Sequence, residues 1–177
     1  MSVVENSKKV LLEMLHDRNY IDIEICGNNI TCTDPKLKRN INIYFLLAKK
    51  KLPHLFKAYI SQFENPKDIH HILILSKTPH TLFRRVSKEF SVELFYTNEF
   101  GYNITEHKLV PKHTLIRKNE IDTITDVANI HENCKHFPII KLTDPIARYY
   151  GAMKNDLFKV ERFSPCSGKY ISYRVVQ

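Results

Sequence analysis

Between Ile41 and Tyr96 three apolar runs alternate with two stretches of helical spacing, and this alternation constrains the fold more than any other feature. Ile41 to Leu47 is a continuous β-prone run. Leu52, Leu55, Phe56, Tyr59 and Phe63 then recur at helical intervals. Ile69 to Leu75 is a second apolar run, Thr78-Pro79 opens a second helix through Phe90, and Val92 to Tyr96 is a third strand. Strands separated by helices of this length need crossover connections, which make them parallel. Their unbroken apolar character fits burial on both faces.

The flanking sequence adds simpler elements. Ser2 and Glu5 have capping-box spacing ahead of Val10, Leu11, Met14 and Leu15, which predicts a helix from about Val3 to Arg18. Tyr20 to Ile25 alternates apolar and acidic residues, as a half-buried strand does, and Gly27-Asn28-Asn29 breaks it. After Ile104 the pattern changes. Asn119 to Val127 reads as a short helix and His131 to His136 as a polar connection. Asp144, Pro145 and Gly151 punctuate a two-turn helix as N-cap, first-turn proline and left-handed terminator. Leu157 to Phe163 and Lys169 to Val176 should form an antiparallel hairpin. The expected architecture is α/β, or α+β overall. A mostly parallel N-terminal sheet flanked by helices occupies residues 1–104, and a small mixed module with short helices and a hairpin occupies residues 105–177.

Composition matters through where the charge lies. Of the net +8, residues Pro35 to Lys88 carry twelve Lys and Arg against Glu64 and Asp68, whereas the rest of the chain is slightly acidic. A concentrated positive field attracts polyanions and holds phosphate without reading sequence; a solvated basic face is the plain alternative. The hydrophobic fraction of 43% is that of a folded, water-soluble protein, and the longest apolar stretch is too short for a bilayer. With no apolar leader in the first residues, the chain is expected to be intracellular. Cys26, Cys32, Cys134 and Cys166 form no closely spaced pairs, so no zinc site is expected. His70 and His71 would point to opposite faces of a strand and cannot converge on one metal.

One enzymatic pattern occurs twice. Acid-x-Lys on a strand serves divalent-metal nucleases, and Asp34-Pro35-Lys36 and Glu106-His107-Lys108 both match it. Pro35 puts the first in a turn, and no Pro-Asp dipeptide precedes either. Phosphate-binding Gly loops and nucleophile elbows are absent from the sequence, so no cofactor and no small-molecule substrate are expected.

Three ordered blocks resemble a known family. Asn103-Ile-Thr-Glu-His-Lys-Leu-Val-Pro-Lys-His113 is similar to the interdomain sequence of the small shared subunit of eukaryotic-type DNA-dependent RNA polymerases, the fifth subunit of the eukaryotic enzymes and its archaeal counterpart. Phe137-Pro-Ile-Ile-Lys-Leu-Thr-Asp-Pro-Ile-Ala-Arg-Tyr-Tyr-Gly151 is similar to its Leu-Pro-x-Ile … Asp-Pro-Val-Ala-Arg-Tyr-Tyr-Gly signature, and Ser164 to Val176 to its C-terminal hairpin. Leu15-His-Asp-Arg-Asn-Tyr20 and Ser76-Lys-Thr-Pro-His-Thr81 are fainter matches in the first half. Asn155 replaces a family Gly, which Asn's tolerance of positive φ permits. Lys108 falls where relatives carry Glu, so the second acid-x-Lys is not a family feature.

The resemblance implies a non-catalytic subunit. Its C-terminal module would dock on the largest polymerase subunit, and its N-terminal jaw would help hold downstream double-stranded DNA. Candidate DNA contacts are Lys36, Lys38, Arg39, Lys49, Lys50, Lys51, Thr78, Pro79, Arg84, Arg85 and Lys88. Candidate subunit contacts are His113, Arg148, Tyr149, Tyr150, Tyr173 and Arg174. On so short a helix at least one of Tyr149 and Tyr150 must face the module's own core, and the sequence leaves open which. The compact first half and the Lys-, Asn- and Ile-rich composition suggest a large DNA virus. The expected place of work is the nucleus if the polymerase is cellular, or a virion or cytoplasmic factory if it is viral. A free-standing nucleic-acid-binding protein and a metal-dependent nuclease are the rival readings.

Overall fold

Residues 3–47, 52–65, 68–76, 90–123, 137–164 and 168–177 are described by the computed structural model. By internal contacts the chain divides into Met1–Tyr102 and Asn103–Gln177.

The first unit opens with helix α1 (Val3–Asp17), followed by strands β1 (Ile21–Cys26), β2 (Asn29–Asp34) and β3 (Arg39–Leu46). Helix α2 (Leu52–Ile60), β4 (His70–Leu75) and β5 (Val92–Tyr96) come next. The five strands lie side by side in sequence order. Parallel pairing joins β3 to β4 and β4 to β5, the part that the strand–helix alternation predicts. An antiparallel half, β1–β2–β3, extends it, so the sheet is mixed. The predicted helix from Thr78 lies outside the described residues, apart from Phe90.

Burial follows the two-residue period of the strands. Ile30, Ile43 and Ile72 stand in one cross-strand row, and Phe45, Ile74 and Phe95 in another; all are buried. Helix α1 meets this face where Lys8 Nζ lies 5.6 Å from the Phe45 ring, and its Val10, Leu11, Met14 and Leu15 are buried. It is fixed by Asn6 Nδ2 donating to Gly101 O at 2.9 Å and Lys8 Nζ donating to Gly27 O at 2.7 Å. On the opposite face, Phe56, Tyr59 and Ile60 of α2 pack on Leu46, Leu73 and Leu75. Each such large apolar side chain contributes on the order of 1.5–3 kcal/mol when fully buried.

One expectation for the N-terminal strands needs correction. β1 is not half-buried: it is the sheet edge, with Ile21 48% and Ile25 54% exposed. A bulge between Ile21 and Glu24, with Asp22 at φ 54°, breaks its register. The half-buried strand is β2, beyond a two-residue turn that Gly27 makes possible at φ 61°.

In the second unit β6 (Lys112–Ile116), β7 (Ile139–Ile140), β8 (Leu157–Ser164) and β9 (Gly168–Val176) form a sheet ordered β6-β8-β9-β7. β8 and β9 are the expected antiparallel hairpin, and β7 joins β9 in parallel. Helix α3 (Pro145–Tyr149) packs Ile146 and Ala147 against Phe158, Val160 and Val176. Ile116, Ile121, Leu157 and Val175 form a second cluster. The segment expected to be helical from Asn119 is a 3-10 turn over Lys118–Thr123, and its remainder lies outside the described residues.

Candidate functional site

In the C-terminal unit the punctuation around α3 works as its chemistry requires. Asp144 Oδ1 accepts from Ile146 N at 2.9 Å, Pro145 occupies the first turn, and Gly151 takes φ 59°. Asn155 sits at φ 73°, a left-handed conformation that asparagine tolerates.

The helix divides the candidate interface residues. Tyr149 is 5% exposed and belongs to the core, whereas Tyr150 is half-buried against the Phe158 ring at 5.9 Å. Tyr149 is therefore the tyrosine that turns inward most. Arg148 and Arg174 are half-buried. Tyr173 packs edge-on to Phe137 at 6.4 Å, over the cluster around Leu157. His113 Nδ1 lies 2.7 Å from Pro111 O, with its ring against Phe158, and burial lowers its pKa. Further along the β8–β9 hairpin, Phe163 is 85% exposed and Ile171 is also exposed.

A buried ion pair underlies this surface, and nothing local in the sequence announces it. Arg117 Nη1 lies 2.9 Å from Asp156 Oδ2 and also donates to Gly151 O. The same carboxylate accepts from Lys118 N and Met153 N. Asp156 thereby ties the end of β6, the α3 terminus and the start of β8 together across 39 residues of chain. Long-range pairs of this kind have no spacing signature.

Of the candidate DNA contacts, three fall in the described residues: Lys36 and Lys38 on the β2–β3 turn, and Arg39 at the start of β3. Asp34 Oδ1 accepts from Lys36 N at 3.0 Å and Leu37 N at 3.1 Å, which folds the turn that Pro35 enters. Lys36 and Lys38 are exposed, Lys38 at φ 50°. Arg39 differs: its Nε is buried 4.0 Å from Asp34 Oδ2, so its guanidinium is partly committed to the turn. Lys49, Lys50, Lys51, Thr78, Pro79, Arg84, Arg85 and Lys88 lie outside the described residues. Asp34 is thus a turn-former, and Glu106 ends a 3-10 turn over Ile104–Glu106. Among the described residues no group of three or more His, Cys, Asp or Glu side chains could hold a metal ion.

His70 and His71 serve opposite faces of β4. His71 Nδ1 meets Tyr59 Oη at 3.0 Å, on the side of α2. His70 lies between Ser91 Oγ at 2.7 Å and Glu93 Oε1 at 2.8 Å. Glu93 also pairs with Arg18 Nη2 at 2.9 Å. Burial by itself would lower the Arg18 pKa and raise that of Glu93. Burial is the largest single effect at each, but the charges and hydrogen bonds of the partners together outweigh it, so Glu93 is held well below the usual carboxylate range and Arg18 above its ordinary value.

Against known proteins, residues 102–176 match the family described as RNA polymerase Rpb5, C-terminal domain. The subunit Rpo5 of DNA-directed RNA polymerase from Methanothermobacter thermautotrophicus is 35% identical over 74 residues, covering 42% of this chain and 94% of that protein. This chain belongs to the Rpb5 family. The resemblance extends beyond the C-terminal unit: the rpabc1 subunit of DNA-directed RNA polymerases I, II and III from Dictyostelium discoideum is 29% identical over 189 residues, covering 95% of this chain and 94% of that protein. An Arabidopsis thaliana subunit 5-like protein is 25% identical over 94% of this chain and 92% of its own length. As an Rpb5 family member the chain is a subunit of a DNA-directed RNA polymerase, and its partners are other subunits of that enzyme. Arg117 and Asp156 both fall within the matched Rpb5 span, so the pair supports the part of the chain that defines the family.

Proposed function

We propose that the two units divide the work of a non-catalytic Rpb5 subunit: Asn103–Gln177 docks on the largest polymerase subunit, and Met1–Tyr102 helps hold downstream duplex DNA. The observation that carries this reading is the separation of two features along the chain. The family match spans residues 102–176, while the whole positive excess lies in Pro35 to Lys88. Phosphate contacts from such a segment position a duplex without specifying sequence, which suits an enzyme that moves along every template. Lys36 and Lys38 stand on an exposed turn, the right setting for such contacts. The run Lys49 to Lys51 and the cluster Arg84, Arg85 and Lys88 would add to the same field, with Thr78 and Pro79 at a further point of approach.

For docking, half-buried Arg148, Tyr150 and Arg174 combine apolar area with a polar end, the composition favoured at interface centres. His113 and Tyr173 would serve as flanking contacts, and Tyr149 supports the helix from within. Catalysis belongs in this reading to the large subunits. The protein works where its polymerase works: in the nucleus for a cellular enzyme, or in a virion or viral factory for a viral one.

The test is a charge reversal of Lys49, Lys50 and Lys51 to Glu in the assembled polymerase. Crosslinking to downstream DNA should fall, and salt sensitivity of the elongation complex should rise, with the subunit still incorporated. Loss of incorporation with DNA crosslinking otherwise intact would mean the roles of the two units are reversed.

A further inference from the structure

The β8–β9 hairpin reaches past the core of its own unit and carries apolar side chains into solvent. Phe158 and Val160 pack against α3, so alternation puts Lys159, Glu161 and Phe163 on the sheet face turned away from that helix. Register extends this face across three strands. Lys112 and Ile171 flank Glu161, Thr114 and Tyr173 flank Lys159, and Lys169 stands opposite Phe163. The inner end of the face is closed by Ile121 and Phe137 over Leu157 and Val175. Its outer end is open: Phe163 is 85% and Ile171 44% exposed, and the two are diagonal neighbours across the hairpin. Tyr150 and Arg174, proposed above for docking, belong to the α3 side, each beside Phe158.

Positive charge rings the apolar pair. Lys169 Nζ lies 2.6 Å from Glu161 Oε2. The Lys169 hydrogen bond does most to lower the Glu161 pKa, burial opposes it, and the charges of Lys169, Lys112 and Lys159 lower it further. Three ammonium groups therefore share one carboxylate, and the excess on this face is positive. An exposed apolar centre with a charged rim is the anatomy of a protein interface. Nucleic acid suits it less: Ile171 offers no plane for a base to stack on, and Glu161 sits where a phosphate would approach the lysines. An acidic polypeptide supplies both needs, an apolar side chain to cover Phe163 and Ile171 and carboxylates for Lys112 and Lys159.

We infer that this outer face binds an acidic segment of the largest polymerase subunit, with Phe163 and Ile171 as the apolar centre and Lys112 and Lys159 as the charged rim. The inference rests on the reading that Asn103–Gln177 docks on that subunit, and it adds a second contact surface on the reverse of the sheet from Tyr150 and Arg174. Membership of the Rpb5 family makes other polymerase subunits the partners at hand.

The tagged full-length chain carrying Phe163→p-benzoylphenylalanine would be assembled into the polymerase in cells, purified, irradiated and mapped by mass spectrometry. The expected product is a crosslink to a stretch of the largest subunit in which Asp and Glu outnumber Lys and Arg. Release of the subunit from immobilised polymerase gives a second readout. Phe163→Ser should speed dissociation about fivefold or more and leave its salt dependence unchanged. Lys112→Gln/Lys159→Gln should speed dissociation at low salt and flatten its dependence on salt. Thermal unfolding of each free variant, matched to the native chain, separates these effects from a loss of fold. Polymerase recovered with position 163 unlinked, or linked to a neutral or basic segment, another subunit or nucleic acid, would overturn the inference and leave docking of the C-terminal unit standing. Unchanged dissociation in either variant would do the same. Recovery of the tagged chain without the polymerase would overturn docking itself, and this inference with it.

Discussion

Replacing Glu93 by Gln removes a charge that two other side chains depend on. Arg18 has only 1% of its side chain exposed, and it would lose the Glu93 charge; His70 would lose its ionised acceptor. Breaking a buried pair costs about 3–5 kcal/mol. Glu93 itself keeps 27% of its side chain exposed, and glutamine retains an acceptor for Arg18, so the expected loss is nearer ~2–3 kcal/mol at pH 7. That corresponds to a roughly 30- to 150-fold change in the local opening equilibrium. The pH dependence follows from the sign of the shift. A carboxylate held below its ordinary value of 4.5 stabilises the fold fully above that pH and loses its contribution as pH falls. The native protein should therefore lose about 1.4 kcal/mol of this contribution for each pH unit below 4.5, and the variant should not. Urea unfolding at pH 7 and pH 3.5, with pulse hydrogen labelling of the peptides spanning β4 and β5, reads the difference directly. A loss under about 0.5 kcal/mol at pH 7, or an equal loss at both pH values, would rule out this coupling.

Other substitutions test the C-terminal unit and the thiols. Asp156→Ala leaves Arg117 buried and unpaired and frees two backbone donors; exchange of β6 and β8 amides should accelerate by an amount equivalent to about 3–5 kcal/mol. Asp144→Ala removes the α3 cap and should cost about 1 kcal/mol in thermal or urea unfolding. Cys32 is buried and its thiol is pushed up to about 12 by burial, whereas Cys26 is exposed. A maleimide at pH 7.5 should label Cys26 in the folded chain, and peptide mapping should find Cys32 unlabelled until denaturant is added.

The parts legible in the sequence are those set by local chemistry. Period and punctuation predict α1, the parallel β3–β4–β5 core and the β8–β9 hairpin, because each depends on neighbours a few residues away. Asp144 and Gly151 act at α3 as their residue types require. β2 is hidden because Thr31 and Thr33 make it look polar, although Ile30 and Cys32 fill the core between them. The alternation in β1 suggests burial, but burial depends on what packs against a strand, and β1 is the sheet edge. The Arg117–Asp156 and Arg18–Glu93 pairs join residues 39 and 75 positions apart, distances at which no motif can announce them. Among the candidate contacts, only tertiary packing could separate Tyr149 from Tyr150, or commit Arg39 to Asp34.

Anchoring of this chain to a polymerase falls, in the proposed division of labour, to residues 103–177. Affinity purification of the tagged full-length chain from its native cells, followed by lysine crosslinking and mass spectrometry, tests it most directly. The expected outcome is co-recovery of the large polymerase subunits, with crosslinks to the largest subunit from Lys141, Lys154 and Lys159 in the C-terminal unit. Recovery without polymerase subunits, or crosslinks to the largest subunit confined to residues before Asn103, would contradict it.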